Sequence, residues 1–369
     1  STVVLFAGMF VVGAAMFYTG LAQAIGEKVV HIFGTGENSL MLGLMLVGTA
    51  LSSVLSNTGT CACLMPVALG ICAASKNPAS RQLLPMAYAC GWGGIITLVG
   101  TPPNIIGSGA LTAAGLPGFS FFEFAWIGIP LSVAGILYML LIGKYLLPKA
   151  ELDADQEIEQ EIEATTHDKK KQVISGVILL ACVTVMALNL KFISLEMTAI
   201  IGALVCVLTG CLTEKQAYSS IDWVTIFLFA GMMPVSTAMD KTGAGKLIAN
   251  WAVGLMGGEP TPLIVTIVLF SISCFLTQFM SNTASAALLC PIGIAIAKQL
   301  NADPKAVVMA IAVAASCAFA TPVGTPPCTL VLGPGGYKFM DYVKCGTGLV
   351  LVCFVVSLIV IPMVWPFFP

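Results

Sequence analysis

The sequence predicts an all-α polytopic membrane protein made of two inverted-topology repeats with re-entrant helical hairpins and broken helices. Three observations predict it. The 369 residues are 58% hydrophobic and only 9% charged, with mean hydropathy +0.97, whereas a soluble domain carries about 25% charged residues. Apolar stretches of spanning length recur at residues 124–147, 173–190, 197–212 and 346–365; roughly 20 such residues cross a bilayer core as a helix. Finally, the chain reads the same polar words twice. Ser56-Asn57-Thr58 returns as Ser281-Asn282-Thr283, and Gly100-Thr101-Pro102-Pro103 as Gly324-Thr325-Pro326-Pro327, at almost the same separation. Leu5-Phe6-Ala7-Gly8-Met9 matches Leu228-Phe229-Ala230-Gly231-Met232 at nearly the same separation, and Pro66 matches Pro291. The short-period alternation of a membrane β-barrel is absent.

Each copy opens with a helix (3–18; 224–239) and an amphipathic connector (21–33; 244–256). A hairpin follows (39–74; 261–300), with Ser-Asn-Thr near its middle. Next come a helix interrupted at Gly-Thr-Pro-Pro and a last spanning helix. Hairpin arms of about 15–20 residues, at roughly 1.5 Å per residue, reach the membrane middle and return, or nearly span it. Either way the hairpin adds an even number of crossings to an odd number of others, so the copies insert in opposite senses. The expected division is residues 1–148, first repeat; 149–172, a polar cytoplasmic linker; and 173–369, second repeat. Two spanning segments, 173–190 and 197–212, precede the second copy's first matched helix. The first copy has no counterpart, so its N-terminal helices are expected to lie before residue 1.

Basic residues orient the chain. With the linker in the cytoplasm, Lys191, Lys241, Lys246, Lys298 and Lys305 fall outside, and the rest of the 16 Lys and Arg fall inside, as the positive-inside rule requires. The 13 cysteines sit mostly in apolar runs and read as small packing residues. Cys61-Ala62-Cys63 lacks the spacing of a common metal or redox motif. His31 and His167 lie outside the spanning segments.

The repeated words carry the chemistry. Broken helices persist in lipid only where protein, water or ions satisfy the freed backbone groups. At each Ser-Asn-Thr one arm ends and the next points its N-terminus at the tip, where partial positive charge and free N–H groups suit an anion. The hydroxyls and the amide add donors. Gly-Thr-Pro-Pro cannot continue a helix, because proline lacks an N–H and restricts its predecessor. The freed carbonyls, with Ser and Asn side chains, suit a hard cation such as sodium. Two repeat-related cation sites flanking a dianion would offset its charge.

At these words, at Gly100-Thr101-Pro102-Pro103-Asn104 and at Gly333-Pro334-Gly335-Gly336-Tyr337, the chain resembles the divalent anion/sodium symporter family, the INDY-type dicarboxylate carriers. The resemblance covers essentially the whole chain. It implies a homodimer and elevator-type movement of a substrate-carrying domain against a scaffold. It also implies transport of C4-dicarboxylates, citrate or sulfate, with sodium in most members and exchange in some. Carried onto this sequence, substrate touches Asn57, Thr58, Ser281, Asn282 and Thr283. One sodium ion lies by Ser52, Ser56, Asn57 and Gly100, and a second by Thr277, Asn282 and the backbone around Val323 to Thr325. The second copy departs from the pattern at Cys328, where the first has Asn104.

The sequence thus points to a secondary active transporter in the plasma (inner) membrane. It is expected to move a divalent organic anion such as succinate, coupled to sodium; its expected partners are that small dianion, sodium ions and the lipid bilayer, with no nucleic acid. A sodium-independent exchanger, and citrate or sulfate as substrate, remain open. Proton coupling is disfavoured because Glu123, Glu196 and Asp222 stand at helix ends. An enzyme is disfavoured because no His, Asp or Glu lies near either Ser-Asn-Thr. Broken helices also line channels, which saturation and counterflow distinguish from carriers.

Overall fold

The computed structural model describes residues 2–34, 36–148, 168–188, 193–244, 247, 250, 251, 254 and 261–368. Every regular element among them is a helix. In chain order these are α1 (Thr2–Tyr18), α2 (Leu21–Phe33), α3 (Glu37–Ser52), α4 (Asn57–Ser75), α5 (Leu83–Gly93), α6 (Pro102–Ala113) and α7 (Ala125–Leu146). They continue as α8 (Lys169–Leu188), α9 (Leu195–Leu208), α10 (Glu214–Ser219), α11 (Trp223–Thr242), α12 (Pro262–Leu276), α13 (Asn282–Gln299), α14 (Pro304–Ala315), α15 (Pro326–Leu330) and α16 (Phe339–Val364). Most of the expected second connector, 244–256, and most of the linker, 149–172, lie outside the described residues.

The helices stop and start where the sequence chemistry requires. Ser56 and Ser281 are N-caps with extended backbones, and their side chains accept from the N–H groups of Gly59 at 3.1 Å and Ala284 at 3.2 Å. Thr101 (φ −143°, ψ 145°) and Thr325 (φ −144°, ψ 139°) are both extended ahead of their proline pairs, which enter a first turn that needs no N–H. The two copies therefore share not only words but the local backbone those words impose.

Among the described residues, three helices are each long and apolar enough to cross a bilayer: α7 with 22 residues, α8 with 20 and α16 with 26. The predicted span 197–212 is helical only as far as Leu208. Outward stripes mark the lipid side. Ile129, Val133, Leu137 and Leu141 on α7, and Leu351, Val355, Ile359 and Met363 on α16, recur every fourth residue and are all exposed on the protein. In water each would forgo about 1.5–3 kcal/mol of burial, whereas lipid tails cover it. The chain is a multi-pass integral membrane protein.

Inside, α1 packs against α9 and α8, and the approach is close. A Cβ on Gly8 would come within 2.6 Å of the Ala199 carbonyl carbon, the close fit that small residues allow between helices in lipid. The hairpin α3–α4 backs onto α5, and α12–α13 backs onto α14, while α13 also packs on α6. One aromatic knot ties the copies together. Phe319 meets the ring edges of Tyr88 and Trp92 at 5.3 and 6.3 Å, and the Tyr88 hydroxyl donates to the Phe319 carbonyl at 2.8 Å. All 13 cysteines are free thiols, and all but Cys63 are buried.

At one end of the bundle, Lys305 at the head of α14 reaches Glu123 before α7 at 2.9 Å. Trp365, just beyond α16, donates its indole N–H to the same carboxylate oxygen at 2.9 Å. Burial pushes this carboxyl up, but the donors from Trp365, the Ser120 N–H and Lys305 outweigh it and hold Glu123 below the usual carboxylate range. At the other end of α16, the Tyr337 hydroxyl donates to Ser80 O at 2.6 Å and accepts from the Leu84 N–H at 2.9 Å.

Candidate functional site

The two Ser-Asn-Thr tips meet. A cavity of about 800 Å³ is lined by Ser56, Asn57 and Thr58 from one hairpin and by Ser281, Asn282 and Thr283 from the other. Gly100 and Thr101 join from the first helix break, and Gly324 and Thr325 from the second. The N-termini of α4 and α13 thus open into one space, placing two positive helix ends there. Among the described residues no Lys, Arg or His lines it. All five residues expected to touch substrate stand on its wall.

Ser52 and Thr277 lie behind the tips, each with no exposed surface. The hydroxyl of Ser52 stands 2.7 Å from Asn57 Oδ1 and donates to Cys90 O at 2.7 Å. That of Thr277 stands 2.8 Å from Asn282 Oδ1 and donates to Ala315 O at 2.6 Å. The inward arm of the Asn57 amide also faces Cys90 O at 3.1 Å and Gly100 O at 3.2 Å. The inward arm of Asn282 faces Ala315 O at 3.1 Å and Gly324 O at 3.2 Å. With nitrogen inward, each amide donates to both carbonyls. With oxygen inward, four oxygens converge in each copy, an arrangement that calls for a hard cation.

Glycine is needed here by distance. A Cβ on Gly100 would lie 2.5 Å from Gly94 O and 2.8 Å from Ser53 O, and one on Gly324 would lie 2.7 Å from Thr277 O. These are backbone atoms, which cannot swing aside.

The structure narrows the sequence expectation at one place in the site and departs from it at another. Within the expected backbone from Val323 to Thr325, the carbonyl brought to Asn282 belongs to Gly324, the counterpart of Gly100. Val323 is not on the cavity wall, and its side chain is 65% exposed. Asp222, read from sequence only as a helix-end residue, lines the cavity at the head of α11 together with Ser220. Phe17 and Tyr18 of α1 and Gln23 of α2 complete that wall. Nothing in the repeated words pointed to these residues. The internal match to α11 was the only available signal, since it pairs α1 with α11.

The sequence profile of the citrate transporter family matches residues 1–286 and again 185–368, so that together the matches take in nearly the whole chain. The chain belongs to this family. The family stands in the same divalent anion group that the repeated words resemble, and it makes the protein a secondary transporter, not an enzyme. An uncharacterized transporter of Haemophilus influenzae is 34% identical, over 99% of this chain and 81% of its own. The sodium-dependent dicarboxylate transporter SdcS of Staphylococcus saprophyticus is 26% identical, over 98% of this chain and 76% of its own. The YdaH transporter structure from Alcanivorax borkumensis shares the fold, with TM-score 0.72 at 13% identity over 98% of this chain and 84% of that one.

Proposed function

We propose that the protein carries a divalent organic anion, a C4-dicarboxylate such as succinate, across the plasma membrane together with sodium. The observation that carries this reading is the paired geometry: two helix N-termini and two Asn side chains face one cavity, each backed by a cluster of oxygens. The cavity wall supplies donors but, among the described residues, no cationic side chain. A dianion there needs positive charge from elsewhere, and unpaired charge moved through lipid is expensive. Sodium at the two oxygen clusters meets that need. The order that follows is cation first, substrate second; equal substrate binding with and without sodium would exclude it. The sodium-dependent dicarboxylate relative supports the same choice.

Alternating exposure follows from the two copies inserting in opposite senses. The hairpins, α5, α6, α14 and α15 form the moving body, and α1, α8, α9 and α11 belong to the scaffold on which a homodimer forms. Gln23 and Asp222 are on the cavity wall, at the ends of α2 and α11 assigned to the cytoplasm by Lys28 and Lys215.

The test is uptake of labelled succinate into sealed liposomes holding the full-length chain. An inward sodium gradient is compared with potassium and with unlabelled succinate preloaded. Accumulation only with sodium establishes symport. Uptake only with internal succinate makes the protein an exchanger. Failure in every arm, with uptake of citrate or sulfate instead, reassigns the substrate and leaves the site.

A further inference from the structure

The two helix breaks are held by different side chains. In the first copy, Asn104 of α6 is fully buried and reaches back into the break, where its amide N–H groups donate to Gly94 O at 3.2 Å and Thr97 O at 2.8 Å. The equivalent residue in the second copy is Cys328, whose thiol only approaches Ala318 O at 3.9 Å. The second break is instead held from the hairpin tip. Gln278 donates to Cys317 O at 2.9 Å and to Cys274 O at 2.9 Å, and its Oε1 accepts from the Ala320 N–H at 2.9 Å. The first copy has Ser53 at the position of Gln278, and that hydroxyl turns onto its own helix at Ala50 O, 2.7 Å away. The rest of the joint is shared: Thr97 donates to the Ser53 carbonyl as Thr321 does to the Gln278 carbonyl. An Asn–Ser pair in one copy has become a Cys–Gln pair in the other.

Resting on the sodium-coupled reading of the site, we propose that Gln278 is the positioning residue of the second cation site, taking the part that Asn104 plays in the first. Cys317 and Ala320 lie between Ala315 and Gly324, the two residues whose carbonyls face Asn282. By clamping the segment between them, Gln278 sets the spacing of both oxygens. Its chain neighbour Thr277 supplies the hydroxyl of the same cluster, so tip and break move as one piece. In the first copy the clamp comes from α6 and leaves the tip side chain out. The second site is therefore built by the hairpin, and the first by the helix beyond the break.

The experiment measures sodium activation of uptake in liposomes for the wild type, Gln278→Ser, Gln278→Met and the double variant Gln278→Ser/Cys328→Asn. Elution profile and thermal unfolding report folding, and Gln278→Met preserves side-chain bulk. Loss of the clamp should raise the sodium concentration for half-maximal uptake about tenfold while the substrate KM at saturating sodium stays unchanged. The double variant rebuilds the first copy's arrangement and should return the sodium response toward wild type. A wild-type sodium response in folded Gln278→Ser or Gln278→Met overturns the proposal, as does a double variant with no recovery. Uptake by the wild type that ignores sodium overturns the cation reading itself, and this assignment with it.

Discussion

Asn57 and Asn282 occupy a position that few side chains can fill, because each faces a hydroxyl and two carbonyls at once. Alanine at either position leaves those oxygens without their partner. On the proposed reading each amide also meets charge in the loaded site, where hydrogen bonds to charged groups contribute about 1.5–3 kcal/mol each, so each variant should lose roughly 10- to 150-fold in transport efficiency. The folding transition should move little; uptake and thermal unfolding on the same purified sample check both. Gly100→Ala should behave differently. The new methyl meets the Gly94 and Ser53 carbonyls at 2.5 and 2.8 Å, and overpacking against backbone costs about 1–3 kcal/mol. Lower thermal stability and lost uptake should therefore appear together.

Among the elements, the broken helices position the site, while the contacts at their outer ends hold the copies together. The Glu123–Lys305–Trp365 contact joins the loop before α7 to α14 and the end of α16. Its donors hold the folded-state pKa of Glu123 below the ordinary value. A depressed carboxyl stabilises the fold fully above its unfolded pKa and loses that contribution as pH falls through the folded one. Thermal stability should accordingly decline on acidification through the range below the usual Glu value. Glu123→Gln should start less stable at neutral pH and show a shallower decline, which melts across that pH range would reveal.

For the whole molecule, the ends of α16 provide a ruler. Its 26 residues span about 39 Å at roughly 1.5 Å each. One end carries the Glu123 contact with Lys305, and the other begins beside Lys338 and Lys344. The proposed inverted arrangement would place the first end outside and the second in the cytoplasm. Cysteines placed at Lys298 and Lys344, in a Cys63→Ser background, should then react with an impermeant maleimide from opposite sides of the membrane. Labelling of both from one side would break the proposed topology.

Much of this protein was legible in its sequence because polar residues inside a lipid-soluble chain are costly, and costly residues that recur in register have a shared task. Ser56 and Ser281 marked the helix starts, the proline pairs marked the breaks, and the apolar runs marked α7, α8 and α16. What only the tertiary structure decided was which distant groups meet. Which residue of the stretch from Val323 to Thr325 turns its carbonyl to Asn282, here Gly324, depends on which way each carbonyl points in an unwound segment. The place of Asp222 on the cavity wall depends on how α11 packs. The exchange of Asn104 for Gln278 depends on a hairpin tip reaching a break some 40 residues along, a contact between segments that local pattern cannot register. Caps, prolines and hydropathy act over a few neighbouring residues, whereas the site is assembled from tips and breaks that chain folding alone brings together.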